Sequence, residues 1–342
     1  MSENVRLAVY PRKGGPESIT VVEAELGKLA PNQIRIDVHY AGINFADLMM
    51  RMGLYGAAPP FPFTPGYEVS GTIIEIGKDV RNRSVGDRVV AMTRFGGYST
   101  IIDVFPDQSF ILGPKIDLDA AAAMPVTYTT AYHMLVHLGN IREGDTVLIH
   151  HAAGGVGTAA AQIAAAKGAS LIIGTSSAPK KEFVESMGMH HVTRGEDFIE
   201  QCKALTDGRG VDHALDPVGG RHLLKSYRAL AKGGKLYAFG GSSAVPWKRP
   251  NLFAALWMWW RLPRFDPLRM MNSNKAVFGI HLGTWEKEDI LQEQVKELIS
   301  MHKEGVINPV VDSIFQLSDV AKAHTYMHDR KNRGKILLDC RD

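Results

Sequence analysis

Over the first 120 residues, apolar and polar positions alternate with a period of two. Ile34, Ile36 and Val38 are interleaved with Arg35, Asp37 and His39. Successive side chains on a strand point to opposite faces, so this run predicts a half-buried strand. Residues 69–76 and 88–91 read the same way, with Gly77-Lys78-Asp79 and Val85-Gly86-Asp87 as turns. The texture changes near Ala120. From there to about Phe239, short apolar runs alternate with helical stretches. The pattern predicts strands at 146–150, 171–174, 211–216 and 235–239, and an Ala-rich helix at 156–167 closed by Gly168. Strands separated by helices imply crossover connections and a parallel sheet. Residues 276–280 are a candidate final strand. Beyond them the pattern predicts helices at 290–302 and 320–327 and a strand at 335–339, which together return to the first domain.

One stretch breaks the alternation. Residues 246–274 hold four of the five tryptophans, together with Lys248, Arg249, Arg261, Arg264 and Arg269. On a helix, Leu252, Leu256 and Trp259 share one face, and Phe253, Trp257 and Trp260 share the adjacent one. A helix apolar over so much of its circumference requires cover. Three covers suit it: a hydrophobic substrate pocket that it lids, a second subunit, or the surface of an anionic membrane.

Composition narrows the class. With 342 residues the chain suits two domains, and its 45% hydrophobic and 22% charged residues are ordinary for a globular protein. A net charge of +3 offers no electrostatic footprint for nucleic acid. The N-terminal residues lack the apolar core of a signal peptide, and the longest apolar run, 252–260, is about half a membrane span. The cytoplasm is the expected location. Two cysteines, Cys202 and Cys340, build neither a disulfide framework nor a four-thiolate zinc site.

The chemistry centres on Ala152-Ala153-Gly154-Gly155-Val156-Gly157, directly after the apolar strand at 146–150. A dinucleotide loop needs minimal side chains where the backbone approaches a pyrophosphate, and a small residue where the following helix packs on the first strand. Gly154 and Gly157 take the second and third positions of the GxGxxG pattern, and Ala152 replaces the first glycine. The helix N-terminus then presents N–H groups to phosphate. At the end of the second strand, NAD-specific sites place a carboxylate for the ribose 2′-hydroxyl. Here Thr175, Ser176 and Ser177 follow instead, then Lys180 and Lys181, with no acid before Glu182. Arg194 stands near the end of the next expected strand. Hydroxyls and cations at these positions suit a 2′-phosphate, so the expected cofactor is NADP(H).

Beyond the loop, several ordered blocks resemble the medium-chain dehydrogenase/reductase superfamily, in its zinc-free quinone-oxidoreductase branch. They are AGINFADLMMRMGLY (41–55), PFTPGYEVSG (62–71), VGDRV (85–89), TTAY (129–132) and GVDHALDPVGG (210–220). SNKAVFGIHLG (273–283) and NRGKILL (332–338) look closer still to its vesicle-amine-transport-protein subgroup. The resemblance covers nearly the whole chain. It implies an α/β fold: a Rossmann doubly wound parallel sheet over 125–274, and a GroES-like β-rich catalytic domain from 1–124 and 275–342. It also implies that Asn44 and Thr130 contact the nicotinamide end of the cofactor. Tyr55 would line the substrate pocket as a proton donor or hydrogen-bonding group. The cofactor-binding set would further include Phe239, Gly240, Phe278 and Asn332.

Zinc-dependent relatives carry a Cys in the first block and a His before the Glu of the second. This chain reads Gly42-Ile43-Asn44-Phe45-Ala46-Asp47 and Tyr67-Glu68, so a Cys/His catalytic zinc site is not expected there. Nor do the pairs His150-His151 and His190-His191 suggest one, because neighbours on a strand diverge. The implied activity is metal-independent hydride transfer from NADPH to a quinone or an α,β-unsaturated carbonyl. The alternatives are a 2-enoyl-thioester (CoA) reductase, and an NADPH-binding protein acting mainly through membrane or partner contacts. A small hydrophobic unsaturated substrate and a homodimer are expected, with peripheral membrane contact as the less favoured partner reading.

Overall fold

The computed structural model describes residues 4–195, 197–245, 253, 256, 260 and 262–341. The chain divides into two compact units. One runs to Thr129 and resumes at Glu286; the other starts at Thr130 and ends at Trp285.

In the first unit, the strand Ile34–Ile43 is the organiser. It pairs antiparallel with Glu68–Ile76, with Ile101–Val104 and with the C-terminal strand Lys335–Asp339. The sheet extends on one side through Arg88–Met92 to Ser109–Ile111, and on the other to Val311–Gln316, which lies parallel to Lys335–Asp339. A separate hairpin joins Asn4–Val9 to Thr20–Glu25. The alternation read from the sequence holds for the apolar face: Ile34, Ile36 and Val38 are all fully buried. Arg35, expected on the polar face, is buried as well, because Asp103 clamps it through Nε (2.8 Å) and Nη2 (3.0 Å) while Nη1 reaches Glu75 at 2.7 Å.

The second unit carries a six-stranded sheet, all parallel. From one edge the order is His190–Thr193, Leu171–Ser176, Thr146–His150, Val211–Asp216, Leu230–Ala238 and Ala276–Gly279. Numbered along the chain this is 3-2-1-4-5-6, the doubly wound dinucleotide-binding order. The strand Thr146–His150 is buried at every position, as a strand covered by helices on both faces must be. The strand Ala276–Gly279 belongs to this sheet, so the chain re-enters the first unit at Glu286 rather than at 275, where the sequence reading set the boundary. Among the described residues, no helix is long and apolar enough to cross a membrane.

Candidate functional site

The strand Thr146–His150 ends in a tight turn. His151 adopts a left-handed conformation (φ 55°), and Ala152 N–H donates to the Thr175 carbonyl at 3.1 Å. Gly154 is the N-cap of the helix Gly155–Ala166 and supplies no side chain to cap it, so the first N–H groups of that helix are left for an external acceptor. A Cβ on Gly157 would lie 2.5 Å from the Ala152 carbonyl oxygen and 2.6 Å from that of His151, so helix and loop are too close for any side chain there. A Cβ on Gly154 would meet only the His151 oxygen, at 3.3 Å. Gly157 is therefore a packing glycine, whereas Gly154 is confined by that one oxygen alone. That division is what a bound pyrophosphate requires. Gly174, on the second strand, is a third point of closure: its Cβ would lie 2.8 Å from that of Ala152.

The second strand runs two residues further than the periodicity indicated, through Thr175 and Ser176, and both hydroxyls are buried and turned inward. Thr175 Oγ1 bonds to His150 Nδ1 at 2.8 Å. Ser176 Oγ donates to the Ser177 carbonyl at 3.1 Å and lies 3.0 Å from His191 Nε2. Of the expected phosphate ligands, Ser177 is half-buried, whereas Lys181 and Arg194 are exposed. Arg194 is held beside the second strand by its own N–H, 2.6 Å from the Ser176 carbonyl, and the Lys181 ammonium reaches Glu185 at 3.8 Å.

Thr175 also begins a buried polar chain. His150 Nε2 lies 3.1 Å from Ser226 Oγ, which donates to Asp216 Oδ2 at 2.6 Å; that oxygen is also 2.8 Å from His222 Nδ1. Asp216 Oδ1 accepts from the N–H groups of Val218 and Gly219. Burial pushes the His150 imidazole down to about 3, so it is neutral. Burial works against the Asp216 carboxylate too, but hydrogen bonds from His222 and Ser226 outweigh it and hold the group at about 2. Sequence reading set His150 aside as a ligand. The structure nevertheless groups it with Asp216 and His222, the ligand atoms lying within 4.8 Å of one another. The Ser226 hydroxyl bonds into the middle of this trio and satisfies it as a hydrogen-bond network.

In the first unit, the residues at the expected zinc-ligand positions form a different buried centre. Asn44 caps the helix Phe45–Arg51, and its N–H donates to Asp47 Oδ2 at 2.7 Å. The Asn44 side chain also bonds beyond that helix. Its Nδ2 donates to Glu68 Oε1 at 2.9 Å, and its Oδ1 accepts from Lys335 Nζ at 2.6 Å. Lys335 also makes a short ion pair with Glu68, and both side chains are almost fully buried. The other Glu68 oxygen accepts from Val126 N–H, in the first turn of the helix Pro125–Tyr132, at 2.7 Å. Asp47 Oδ2 accepts a second bond from Tyr98 OH at 2.7 Å, but burial dominates and raises the carboxyl to about 7.

Around this centre runs a row of partly exposed rings. Tyr55 and Tyr67 have centroids 6.5 Å apart, Tyr67 and Phe95 5.6 Å, Phe95 and Phe63 6.0 Å, and Phe63 and Phe61 5.3 Å. The sequence reading names Tyr55 alone of these rings; the Pro-Phe alternation of 59–65 is the sequence signal for Phe61 and Phe63. Burial pushes the phenols of Tyr55 and Tyr67 upward, which makes each a weaker acid.

The remaining expected residues are dispersed. Thr130 lies late in the helix Pro125–Tyr132, half-buried. Phe239 follows the fifth sheet strand, its N–H donating to the Asp216 carbonyl, and Gly240 is exposed beside Pro217, whose oxygen lies 2.8 Å from where its Cβ would be. Phe278 stacks on Tyr237 at 5.6 Å, and Asn332 Nδ2 donates to the Gly334 carbonyl at 2.9 Å. Of the aromatic segment, Lys248, Arg249, Leu252, Trp257, Trp259 and Arg261 lie outside the described residues. Phe253, Leu256 and Trp260 are helical and exposed at 86, 54 and 79%.

Residues 155–304 match the family described as zinc-binding dehydrogenase, and residues 30–104 match the alcohol dehydrogenase GroES-like domain. Over 311 residues the chain is 36% identical to the synaptic vesicle membrane protein VAT-1 homolog of Rattus norvegicus, a match covering 90% of this chain and 77% of that protein. It is 33% identical over 338 residues to a probable quinone oxidoreductase of Schizosaccharomyces pombe, covering 98% of both. Among solved structures it is similar to Escherichia coli quinone oxidoreductase complexed with NADPH, with a TM-score of 0.84 and 30% identity, covering 98% of this chain and 100% of that one.

Proposed function

The chain belongs to the medium-chain dehydrogenase/reductase superfamily, with the VAT-1 homologues and quinone oxidoreductases, and from that premise we propose that it is an NADPH-dependent reductase of quinones or α,β-unsaturated carbonyls working without a catalytic metal. The observation that carries the reading is the loop at 152–157. Its packing glycine and its open glycine stand at the positions a pyrophosphate demands, ahead of an uncapped helix N-terminus.

NADPH supplies a hydride when bound. Gly155, Val156 and Gly157 would receive the pyrophosphate with backbone N–H groups, while Gly154, whose own N–H donates to the His151 carbonyl at 2.9 Å, leaves it room and Ala152 keeps the turn narrow. Ser177 would meet the 2′-phosphate as a half-buried donor, and Lys181 and Arg194 as exposed cations. Thr175 and Ser176 shape the pocket wall instead, because their hydroxyls are spent on His150, His191 and backbone. Asn44 and Thr130 orient the nicotinamide, with Phe239, Gly240, Phe278 and Asn332 completing the cofactor set. The row from Tyr55 to Phe61 offers an apolar wall to a flat unsaturated acceptor. A phenol made less acidic by burial is a poor proton source at neutral pH. Tyr55 therefore acts as a hydrogen-bond donor to the acceptor oxygen, and water delivers the proton.

Asn44 and Tyr67 stand where zinc-dependent relatives place their soft ligands, and the lysine ammonium among the neighbouring groups repels a cation. We further propose a homodimer, which would cover Phe253, Leu256 and Trp260. The test is NADPH oxidation, followed by loss of reduced-nicotinamide absorbance, against quinones, enals, enones and enoyl-CoAs. Turnover of enoyl-CoA but not of the matching free enone would replace the quinone reading with thioester reduction. No turnover of any acceptor would leave a cofactor-binding protein that acts through contacts.

A further inference from the structure

Deepening that functional reading, and resting on it, we infer that Lys335 and Glu68 are positioning residues that set the Asn44 carboxamide proposed to face the nicotinamide. Four observations carry this.

The first is valence. An ammonium only donates and a carboxylate only accepts. A carboxamide placed between them must turn its oxygen to Lys335 and its NH2 to Glu68, and Asn44 does so at 2.6 and 2.9 Å. One of its two orientations is therefore eliminated. The Asn44 oxygen keeps a second lone pair, and its direction is determined by Lys335.

The second is the reach of Glu68. Its other oxygen holds Val126 N–H at 2.7 Å, at the start of the helix Pro125–Tyr132. A negative charge there also complements the helix dipole. Thr130 sits one turn along the same helix. One ion pair thus fixes the Asn44 carboxamide and holds the first turn of this helix.

The third is room. A Cβ on Gly42 would lie 2.5 Å from Glu68 Oε1, so the strand Ile34–Ile43 gives up a side chain to seat this carboxylate.

The fourth is the origin of the ammonium. Lys335 opens the last strand, which pairs with the end of Ile34–Ile43 through Ile336↔Ile43. That register delivers a buried cation among residues at the positions where zinc-dependent relatives hold their metal. An ion pair this deeply buried costs desolvation, and packing alone would be served better by apolar side chains. A positioning role accounts for its presence.

Lys335→Met alone strands a buried carboxylate, so the neutral pair Glu68→Gln/Lys335→Met is made beside it and beside Lys335→Arg. Three quantities are measured for each: the thermal midpoint, the affinities for NADPH and for 2′,5′-ADP, which carries the 2′-phosphate but no nicotinamide, and kcat with the best acceptor of the screen. In the neutral pair, 2′,5′-ADP affinity should stay within twofold of wild type, NADPH affinity should fall at least fivefold, and kcat at least tenfold. Lys335→Arg keeps the charge but not the point geometry, and should lie between, with kcat down about threefold. An unchanged ratio of the two affinities, together with wild-type kcat, overturns the inference. If the neutral pair does not fold, wild-type values in Lys335→Arg overturn it. If wild type turns over no acceptor, the functional reading fails, and the affinity ratio still decides whether these residues position the nicotinamide.

Discussion

Two glycines of the nucleotide loop should fail in opposite ways when each becomes alanine. The Gly157→Ala Cβ would stand 2.5 and 2.6 Å from two backbone oxygens, where an ordinary contact begins near 3.4 Å. Backbone cannot swing aside as a side-chain tip does, so the helix Gly155–Ala166 must lift by about 1 Å from a close-packed surface. Overpacking of this kind costs about 1–3 kcal/mol, offset in part by the ~1 kcal/mol that alanine gains over glycine in a helix. A net loss of up to about 2 kcal/mol, at ~2–4 °C per kcal/mol, should lower the thermal midpoint by up to about 8 °C. Gly154 has φ −87° and ψ 173°, extended backbone open to any residue, and its added Cβ meets a single oxygen at 3.3 Å. Gly154→Ala should therefore shift the midpoint by no more than about 1–2 °C, a loss of under 1 kcal/mol. The methyl group would nonetheless stand where the pyrophosphate must approach, and NADPH affinity should drop at least ~tenfold, or ~1.4 kcal/mol. Thermal unfolding without ligand and fluorescence titration with NADPH separate the two effects. Wild-type affinity in Gly154→Ala would refute the assignment of this loop to the pyrophosphate, and an unchanged midpoint in Gly157→Ala would refute the packing argument.

NADPH should be preferred to NADH at least ~tenfold; Lys181→Ala and Arg194→Ala should erode the preference while Ser176→Ala spares it, and equal dissociation constants in wild type would end the argument. Because burial raises the Asp47 carboxyl from its ordinary 3.8 to about 7, its contribution to stability is fully present below about pH 4 and lost as the pH rises towards 7 and above. The difference between wild type and Asp47→Asn in urea melts should accordingly change between pH 5 and pH 8, in favour of the variant at the higher pH; a pH-independent difference would contradict the burial argument. Activity should survive chelators, and stoichiometric zinc whose removal abolishes turnover would overturn the metal-free reading. Sedimentation should give a dimer at micromolar concentration, whereas a monomer that binds anionic liposomes strongly would assign Phe253, Leu256 and Trp260 to a lipid surface.

What the sequence determined by itself was local or compositional. Period-two alternation located Ile34–Ile43, and a run of apolar residues flanked by glycines located Thr146–His150, because both signals arise within a few residues. The role of Gly157 was legible from spacing alone, since close helix–strand packing demands glycine whatever surrounds it. Tertiary structure decided everything that depends on partners distant in the chain. Arg35, polar in an alternating pattern, is buried because Asp103 and Glu75 come to meet it. Thr175 and Ser176, legible as hydroxyls at the end of a strand, face inward because His150 and His191 stand on neighbouring strands. The Lys335 ammonium meets Asn44 and Glu68 only because the last strand of the chain pairs with Ile34–Ile43. Periodicity specifies which face of a strand is apolar, but the partner of a buried charge is specified by register between strands, and in this chain that register joins residues almost 300 positions apart.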